Sequence, residues 1–196
     1  MNNNLEKENL IIKYIKDNLT IKRYNHSLSV SVTAVNLATY YNEDTKDAKI
    51  AGLLHDMAKE LTIEDQITKV KEYGYVLTEY DLKTPAIIHG FLGAYMAKEL
   101  FDVNDNIYNA IRTHSMGEAN MSLLQKIIFI SDYIEPFRDK IDNIDDLRKL
   151  AYNDIDRCVY EISKQTLDFL LESKKSVHIN TYKTLEYYKE KLNIKE

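Results

Sequence analysis

Four of the five histidines and two aspartates form a series of side chains that could bind a metal ion. The series runs His26, His55, Asp56, His89, His114 and Asp132. Neutral imidazole offers a nitrogen lone pair near pH 7, and aspartate offers hard anionic oxygens. The adjacent pair His55 and Asp56 follows the apolar residues Leu53 and Leu54, so both stand at the end of a segment that should be buried. This pattern favours a hydrolytic metal site.

Length and composition narrow the class of protein. A chain of 196 residues suits one domain with a real core, and 44% hydrophobic with 29% charged residues is typical of a globular protein. A net charge of −5 lacks the basic excess of nucleic-acid-binding proteins, so no nucleic-acid partner is expected. The start is polar rather than signal-like, and no apolar run approaches the roughly 20 residues that span a bilayer. We therefore predict a cytoplasmic protein without a membrane partner, in which Cys158 is a small buried hydrophobe.

The chain contains only 5 Gly and 2 Pro, which leaves little material for hairpins. Apolar residues recur at helical spacing, as in Leu10, Ile11, Tyr14 and Ile15. We predict an all-α, single compact helical bundle. After two early helices, the expected helices run from about Thr45 to His55, Ala86–Leu100, Asn104–His114, Ser122–Ile134, Asp145–Tyr152, Ile155–Ser173 and Thr181–Leu192. Thr62 with Asp65, and Thr78 with Asp81, resemble capping boxes that open two further helices.

The six donor residues fall at positions from which they could converge. We expect His26 in the first turn of the second helix, and His55 with Asp56 at the end of the next, where the chain can direct both side chains to one point. His89 stands one turn after Pro85, which suits a first helical turn. Asp132 lies inside an apolar run, where burying a carboxylate is costly without a partner. Each residue alone has an ordinary structural explanation, but together they favour a metal centre.

Five segments around these residues resemble a known family. They are RYNH (Arg23–His26), HDMAK (His55–Lys59), HGFLG (His89–Gly93), HSMG (His114–Gly117) and SDYIEPFR (Ser131–Arg138). His26, His55-Asp56 and Asp132 are similar to the H…HD…D pattern of the HD-domain metal-dependent phosphohydrolases. The longer segments resemble those of a bacterial branch, the YqeK-like symmetrical bis(5′-nucleosyl)-tetraphosphatases. The resemblance covers roughly residues 23–181.

The resemblance implies a fold, an activity and a cofactor. Residues 1–196 would form one HD domain, with a metal and catalytic core at about 20–140 and C-terminal helices at about 145–196 that complete the nucleotide site. The enzyme would cleave diadenosine tetraphosphate into two ADP, through attack of hydroxide generated at a divalent metal on an inner phosphorus. The implied metal ligands are His26, His55, Asp56 and Asp132, and they would hold one or two ions. Iron is the expected metal, with manganese or zinc as alternatives.

The resemblance also implies roles for further residues. Asp56, His89, His114 and Lys59 would be catalytic. Substrate would be bound by Arg23, His26, His89, His114, Ser115, Asp132, Arg138, Val177, His178, Ile179 and Asn180. The residues themselves leave simpler alternatives open: Lys59 could be solvated, and Arg138 could pair with Glu135 one turn back. Arg112 is expected to point away along its helix.

Three functions stay open at this point. The preferred function is hydrolysis of dinucleoside tetraphosphates, with a dinucleoside polyphosphate substrate and ADP as product. The second is an HD phosphohydrolase acting on another nucleotide, such as a mono- or triphosphate or a guanosine alarmone. The third is a non-catalytic nucleotide-binding module, which would be expected to have lost a metal ligand, whereas all six donor residues are present. The 15 tyrosines could also cover a homodimer surface.

Overall fold

A computed structural model describes residues 2–138 and 141–195, and its described residues contain helices and no strands. The helices are α1 (Asn2–Asn18), α2 (Ile21–Tyr41), α3 (Thr45–Leu54), α4 (Ile63–Glu72), α5 (Glu79–Lys83), α6 (Ile88–Phe101), α7 (Asp105–Thr113), α8 (Leu123–Ile134), α9 (Ile144–Asn153), α10 (Ile155–Glu172) and α11 (Ile179–Lys191). The predicted all-α fold is therefore confirmed. Within the described part of the chain, no helix is both long and apolar enough to cross a bilayer.

Side-chain caps decide where several helices begin. Thr20 accepts a hydrogen bond from the Arg23 backbone N–H, so α2 starts at Ile21. His26 consequently lies in the second turn of α2, and the expectation that it lies in the first turn is wrong. Thr78 and Asp81 form the predicted reciprocal capping box, with each side chain accepting from the other's backbone N–H. At the start of α4 the Thr62 hydroxyl accepts from the Asp65 N–H. The Asp65 carboxylate accepts from that hydroxyl instead of from the Thr62 N–H, so only half of the predicted capping box forms.

Two other helix starts differ from the prediction. Pro85 opens a short 3-10 turn, Pro85–Ile87, and α6 begins only at Ile88. The last helix begins at Ile179 rather than Thr181, because the Nδ1 atom of His178 accepts a hydrogen bond from the Asn180 N–H at 3.2 Å. Histidine is not among the usual capping residues, so no standard start signal stands before this helix.

One close helix crossing positions the first ligands. Helices α2 and α3 pack against each other at Gly52, where an added Cβ would lie 2.6 Å from the Ser31 Cα. Only glycine allows the two backbones to approach this closely. The crossing places His26 of α2 beside His55, which follows α3. Helices α7 and α8 pack on α3 from the other side and bring in His114 and Asp132.

The C-terminal helices join the same hydrophobic core, which extends from Ile11 to Tyr188 and includes Cys158 as predicted. Helix α11 also contacts the turn that follows His114. Gly117 in that turn has a φ of +68°, and the Thr184 hydroxyl lies 3.3 Å from the Met116 carbonyl oxygen. The end of the chain is thereby tied to the segment that carries His114 and Ser115.

Candidate metal centre

All six donor residues converge on one point between five helices. His26 comes from α2, His89 from α6 and Asp132 from α8, whereas His55 and His114 directly follow α3 and α7. Asp56 stands next in the chain after His55. The four histidines and Asp56 are buried, and Asp132 is partly accessible at the edge of the centre. Residues more than 100 positions apart in the chain are thus brought within contact distance.

The first half of the centre contains His26, His55 and Asp132. The Nε2 atom of His26 lies 3.0 Å from Asp132 Oδ1 and 3.2 Å from His55 Nε2. Asp56 Oδ2 completes this half, at 3.5 Å from His55 Nε2 and 3.8 Å from His26 Nε2. Ligands bound at about 2.1 Å to one ion lie roughly 3.0 to 3.4 Å apart, so these spacings suit a shared cation.

The second half contains His89 and His114, and Asp56 joins it to the first. Asp56 Oδ1 lies 3.1 Å from His89 Nε2 and 3.6 Å from His114 Nε2. The two imidazoles approach each other at 3.1 Å between their Nε2 atoms. The two oxygens of one carboxylate therefore face different pairs of histidines.

Backbone carbonyl groups orient three of the imidazoles. The Nδ1 atoms of His55, His89 and His114 lie 2.7 to 2.8 Å from the carbonyl oxygens of Gly52, Ala86 and Ile111. A carbonyl oxygen only accepts, so each Nδ1 carries the hydrogen and each Nε2 presents its lone pair to the centre. Lone pairs that face each other repel unless a cation lies between them. This arrangement fits a bound metal ion.

Glu135 orients the fourth imidazole and was not identified from the sequence. Its carboxylate is buried, with Oε1 at 3.3 Å from His26 Nδ1. Glu135 follows Asp132 by three residues, directly after the end of α8, and both carboxylates contact the His26 imidazole. The spacing of three residues from Asp132, a proposed metal ligand, is the one signal in the sequence that could indicate the role of Glu135.

The pKa shifts agree with a neutral His89 imidazole beside ionised carboxylates. Burial lowers the pKa of His89 to about 4, against the opposing influence of Asp56. Burial alone would raise the pKa of Asp56, but His55, His114 and His89 outweigh it and hold that pKa well below its usual value. The pKa of Asp132 is lowered in the same way, chiefly by its hydrogen bond with His26. Neutral imidazole and ionised carboxylate are the forms that bind metal ions.

Three cationic side chains surround the donor residues. Arg23 Nη1 lies 2.6 Å from Asp56 Oδ2, and Arg138 Nη2 lies 3.0 Å from Asp132 Oδ1. The Glu135 carboxylate is farther from Arg138, at 3.9 Å. The main contact of Arg138 is therefore Asp132, and the alternative of a simple ion pair with Glu135 does not describe it. Lys59 Nζ lies 3.1 Å from His89 Nε2 in a largely buried position, which excludes the solvated alternative for Lys59.

Ser115 also contacts the second half of the centre. Its hydroxyl lies 2.9 Å from His114 Nε2 and 3.2 Å from His89 Nε2. The hydroxyl can donate to one of these lone pairs. Lys59 Nζ is nearly equidistant from the two ring nitrogens of His89, at 3.1 and 3.2 Å, so it does not lie along the Nε2 lone pair. The protein itself thus supplies the second pair of histidines with a hydrogen-bond donor, the Ser115 hydroxyl.

The segment Val177–Asn180 lies at a different cavity. His178 is only 5% exposed, and its Nε2 lies 3.1 Å from Asp81 Oδ1 while its Nδ1 caps α11. Both ring nitrogens are therefore used inside the protein, and the side chain anchors the segment instead of offering a group to a ligand. Ile179 and Asn180 line a cavity of about 510 Å³ together with Arg112, which pairs with Glu118.

An all-helical bundle with four imidazoles and two carboxylates at its centre defines a metal-dependent hydrolase class. The chain belongs to the HD domain family, which matches residues 23–136. It is 40% identical over 178 residues to a protein of Staphylococcus aureus named symmetrical bis(5′-nucleosyl)-tetraphosphatase, covering 88% of this chain and 90% of that protein. It is 34% identical to the Bacillus subtilis protein of the same name, covering 88% and 92% of the two chains.

A solved structure agrees with this assignment. The crystal structure of a predicted HD superfamily hydrolase involved in NAD metabolism, from Clostridium acetobutylicum, matches with a TM-score of 0.91 and 40% sequence identity. The match covers 94% of this chain and 97% of that one. The family resemblance inferred from the sequence segments is therefore confirmed.

Proposed function

We propose that this protein is a symmetrical bis(5′-nucleosyl)-tetraphosphatase that hydrolyses diadenosine tetraphosphate and related dinucleoside tetraphosphates to two nucleoside diphosphates. Two relatives of that name align with it over nearly their whole length. The observation that carries the proposal is the convergence of six metal-binding side chains on one point, with Asp56 contacting four histidines there and three cationic side chains around them. Imidazoles and carboxylates at this centre could hold a metal ion that activates water, which suits hydrolysis of a phosphoric anhydride.

We assign the principal metal to His26, His55, Asp56 and Asp132. Among the described contacts, the Nε2 atoms of His26 and His55 face carboxylates and each other, whereas the Ser115 hydroxyl can donate to His89 or His114. Iron is the proposed metal, with manganese and zinc as alternatives, because imidazole and carboxylate suit all three. A divalent ion there would lower the pKa of a water molecule from 15.7 toward about 7 and polarise a phosphoryl oxygen.

The second half of the centre is proposed to face the substrate. His89 and His114 would contact the inner phosphates or complete a second metal position with Asp56 Oδ1. Lys59 and Ser115, already beside these imidazoles, can donate hydrogen bonds to phosphoryl oxygens. Negative charge grows on those oxygens and on the departing diphosphate as the reaction proceeds, so fixed donors there lower the barrier.

Arg23 and Arg138 are proposed to bind the outer parts of the polyphosphate. Each guanidinium contacts a carboxylate of the centre and retains further N–H groups for phosphate oxygens. A planar guanidinium can bind phosphate through two parallel hydrogen bonds. The two arginines therefore orient the substrate relative to the metal ligands.

The reaction consumes one water and breaks one bond, between an inner phosphorus and the oxygen that bridges the two inner phosphates. Hydrolysis of diadenosine tetraphosphate in ¹⁸O-labelled water should give ADP alone, and one of the two ADP molecules from each substrate should carry one labelled oxygen. Chromatography and mass spectrometry of the products, with metal analysis of the same sample, test the proposal. ATP with AMP as products would contradict it.

Substitution of Asp56 tests the assigned centre. Asp56→Ala removes the carboxylate shared by both halves, so we expect loss of bound metal and a fall in kcat of at least about 10³-fold. Asp168→Ala is a matched control, since Asp168 is exposed on α10 and pairs with Lys164. A metal-free Asp56→Ala protein with full activity would refute the assignment.

Two aspects of the cellular setting are also proposed. We propose that the enzyme acts in the cytoplasm, because its proposed substrate is a nucleotide. The high tyrosine content is the reason for proposing a homodimer, although only Tyr40, Tyr80 and Tyr182 are exposed among the tyrosines that the structure describes. Light scattering at several protein concentrations tests it. A mass equal to one chain at every concentration would exclude the dimer.

A further inference from the structure

A cavity of about 600 Å³ opens beside the first half of the metal centre. Among its lining residues are Lys22, Arg23, Asn25, His26, Phe137 and Arg138. His26 is a proposed metal ligand, and Arg23 and Arg138 contact the carboxylates of two others. The cavity is therefore continuous with the centre, and its volume lies in the range typical of small-molecule sites. The cavity at Ile179 and Asn180 is separate from it, with different lining residues.

Phe137 presents an aromatic surface at this cavity. The side chain is 72% exposed, although large aromatic residues are usually buried. An exposed aromatic ring beside cationic side chains is the combination that binds a nucleotide, because the base stacks on the ring and the cations hold the phosphates. Lys22, Arg23 and Arg138 supply those cations on the same cavity.

The turn that carries Phe137 is held firmly to the centre. Glu135 Oε2 accepts a hydrogen bond from the Phe137 N–H at 2.8 Å, and its other oxygen contacts His26. Arg148 of α9 donates to the carbonyl oxygens of Ile134 and Glu135 at 3.0 Å each. The backbone at Phe137 is thus fixed relative to the metal ligands, which reduces the entropy cost of stacking a base there.

We infer that this cavity binds one of the two nucleosides of the substrate, with its base stacked on Phe137 and its phosphates passing Arg23 and Arg138 toward the metal centre. The inference rests on the proposed function, because it places one half of a dinucleoside tetraphosphate. The substrate has two nucleosides, and the segment Val177–Asn180 is proposed to contact the other. Phe137 is then a residue that determines affinity for dinucleotides.

Substitution of Phe137 tests the inference through binding as well as turnover. We expect Phe137→Ala to raise the KM for diadenosine tetraphosphate by about 5- to 100-fold, the usual effect of losing one base–aromatic stack, with little change in kcat. Calorimetry with an analogue that has a methylene group at the central bridging position should show the same loss of affinity. Phe137→Tyr keeps an aromatic ring and should restore both values.

Phe169→Ala is the matched control, since Phe169 is 56% exposed on α10 and does not line the cavity. It should leave KM unchanged. A Phe137→Ala protein that binds the analogue and turns over substrate like the wild type would overturn the inference while leaving the proposed function intact. A wild-type protein that neither cleaves diadenosine tetraphosphate nor binds the analogue would instead contradict the proposed function, and the inference with it.

Discussion

His26 and His55 face each other with their Nε2 atoms 3.2 Å apart. The Nδ1 atom of His55 is committed to the Gly52 carbonyl oxygen, and that of His26 lies against Glu135. The Nε2 atoms of both rings therefore point into the same small space, where Asp132 Oδ1 also lies, 3.0 Å from His26 Nε2. Two imidazole nitrogens and a carboxylate oxygen at these spacings suit the ligands of one cation.

Removal of the metal should lower the stability of the protein. A ligand present at 100 times its Kd stabilises the folded state by about 2.7 kcal/mol, and each kcal/mol shifts the Tm of a protein of this size by roughly 2–4 °C. We expect strong chelation to lower the Tm by about 5–10 °C, and added iron, manganese or zinc to restore it. Scanning calorimetry measures this shift. Asp56→Ala should not respond to metal, and equal melting of chelated and metal-loaded wild type would contradict the prediction.

Gly52→Ala should destabilise the crossing of α2 and α3. The added Cβ would lie 2.6 Å from Ser31 Cα and 2.9 Å from its backbone N, so the helices must separate. We expect a loss of about 1–3 kcal/mol in the free energy of unfolding, with weaker metal binding because His26 moves away from His55. Denaturant unfolding and metal titration measure both effects. Gly93→Ala is the control: its nearest neighbours would lie at 3.5 Å or more, and it should be tolerated.

Arg148→Ala should loosen the turn that presents Phe137 and Arg138. The guanidinium holds the Ile134 and Glu135 carbonyl oxygens, and hydrogen bonds to a charged group contribute about 1.5–3 kcal/mol. We expect the KM for diadenosine tetraphosphate to rise roughly 10-fold with a smaller change in kcat. Arg148→Lys should not restore the KM, because a lysine ammonium cannot reproduce the rigid, planar set of N–H donors of the guanidinium. Arg157→Ala, which removes a surface pair with Glu161, should behave like wild type. An unchanged KM in Arg148→Ala would show that the turn is held by other contacts.

His178 should make stability depend on pH. Burial lowers its pKa below the usual 6.5, although Asp81 acts in the opposite direction. Between the two pKa values the unfolded chain binds the proton and the folded chain does not, so stability is full above about pH 6.5 and falls as the pH decreases toward the folded pKa. His178→Asn keeps a capping side chain and should lose less stability between pH 7 and pH 5.5 than wild type. Chemical denaturation at both pH values measures the difference, and equal losses would refute the role of His178.

The sequence predicted the helical fold well, because helix formation depends on local signals. Apolar spacing and the Thr78–Asp81 capping box fixed several elements within one or two residues. Two predicted helix starts were wrong where the residue that begins the helix is not a standard capping residue. Pro85 opened a 3-10 turn instead of α6, and the imidazole of His178 started α11 where no standard capping residue stands. His26 lies in the second turn of α2 because Thr20 caps that helix, and apolar spacing alone does not indicate this start.

For the site, the sequence by itself determined which residues can bind a metal, since imidazole and carboxylate are properties of single side chains. The carboxylate of Glu135 escaped notice because its role depends on the distant His26. Only the tertiary structure decided that Asp56 divides its two oxygens between two pairs of histidines, and that Phe137 stands at a cavity beside them. These relationships arise from helices that pack across long sequence separations. The distances between side chains on different helices depend on how the whole core packs, so a local sequence pattern cannot predict them.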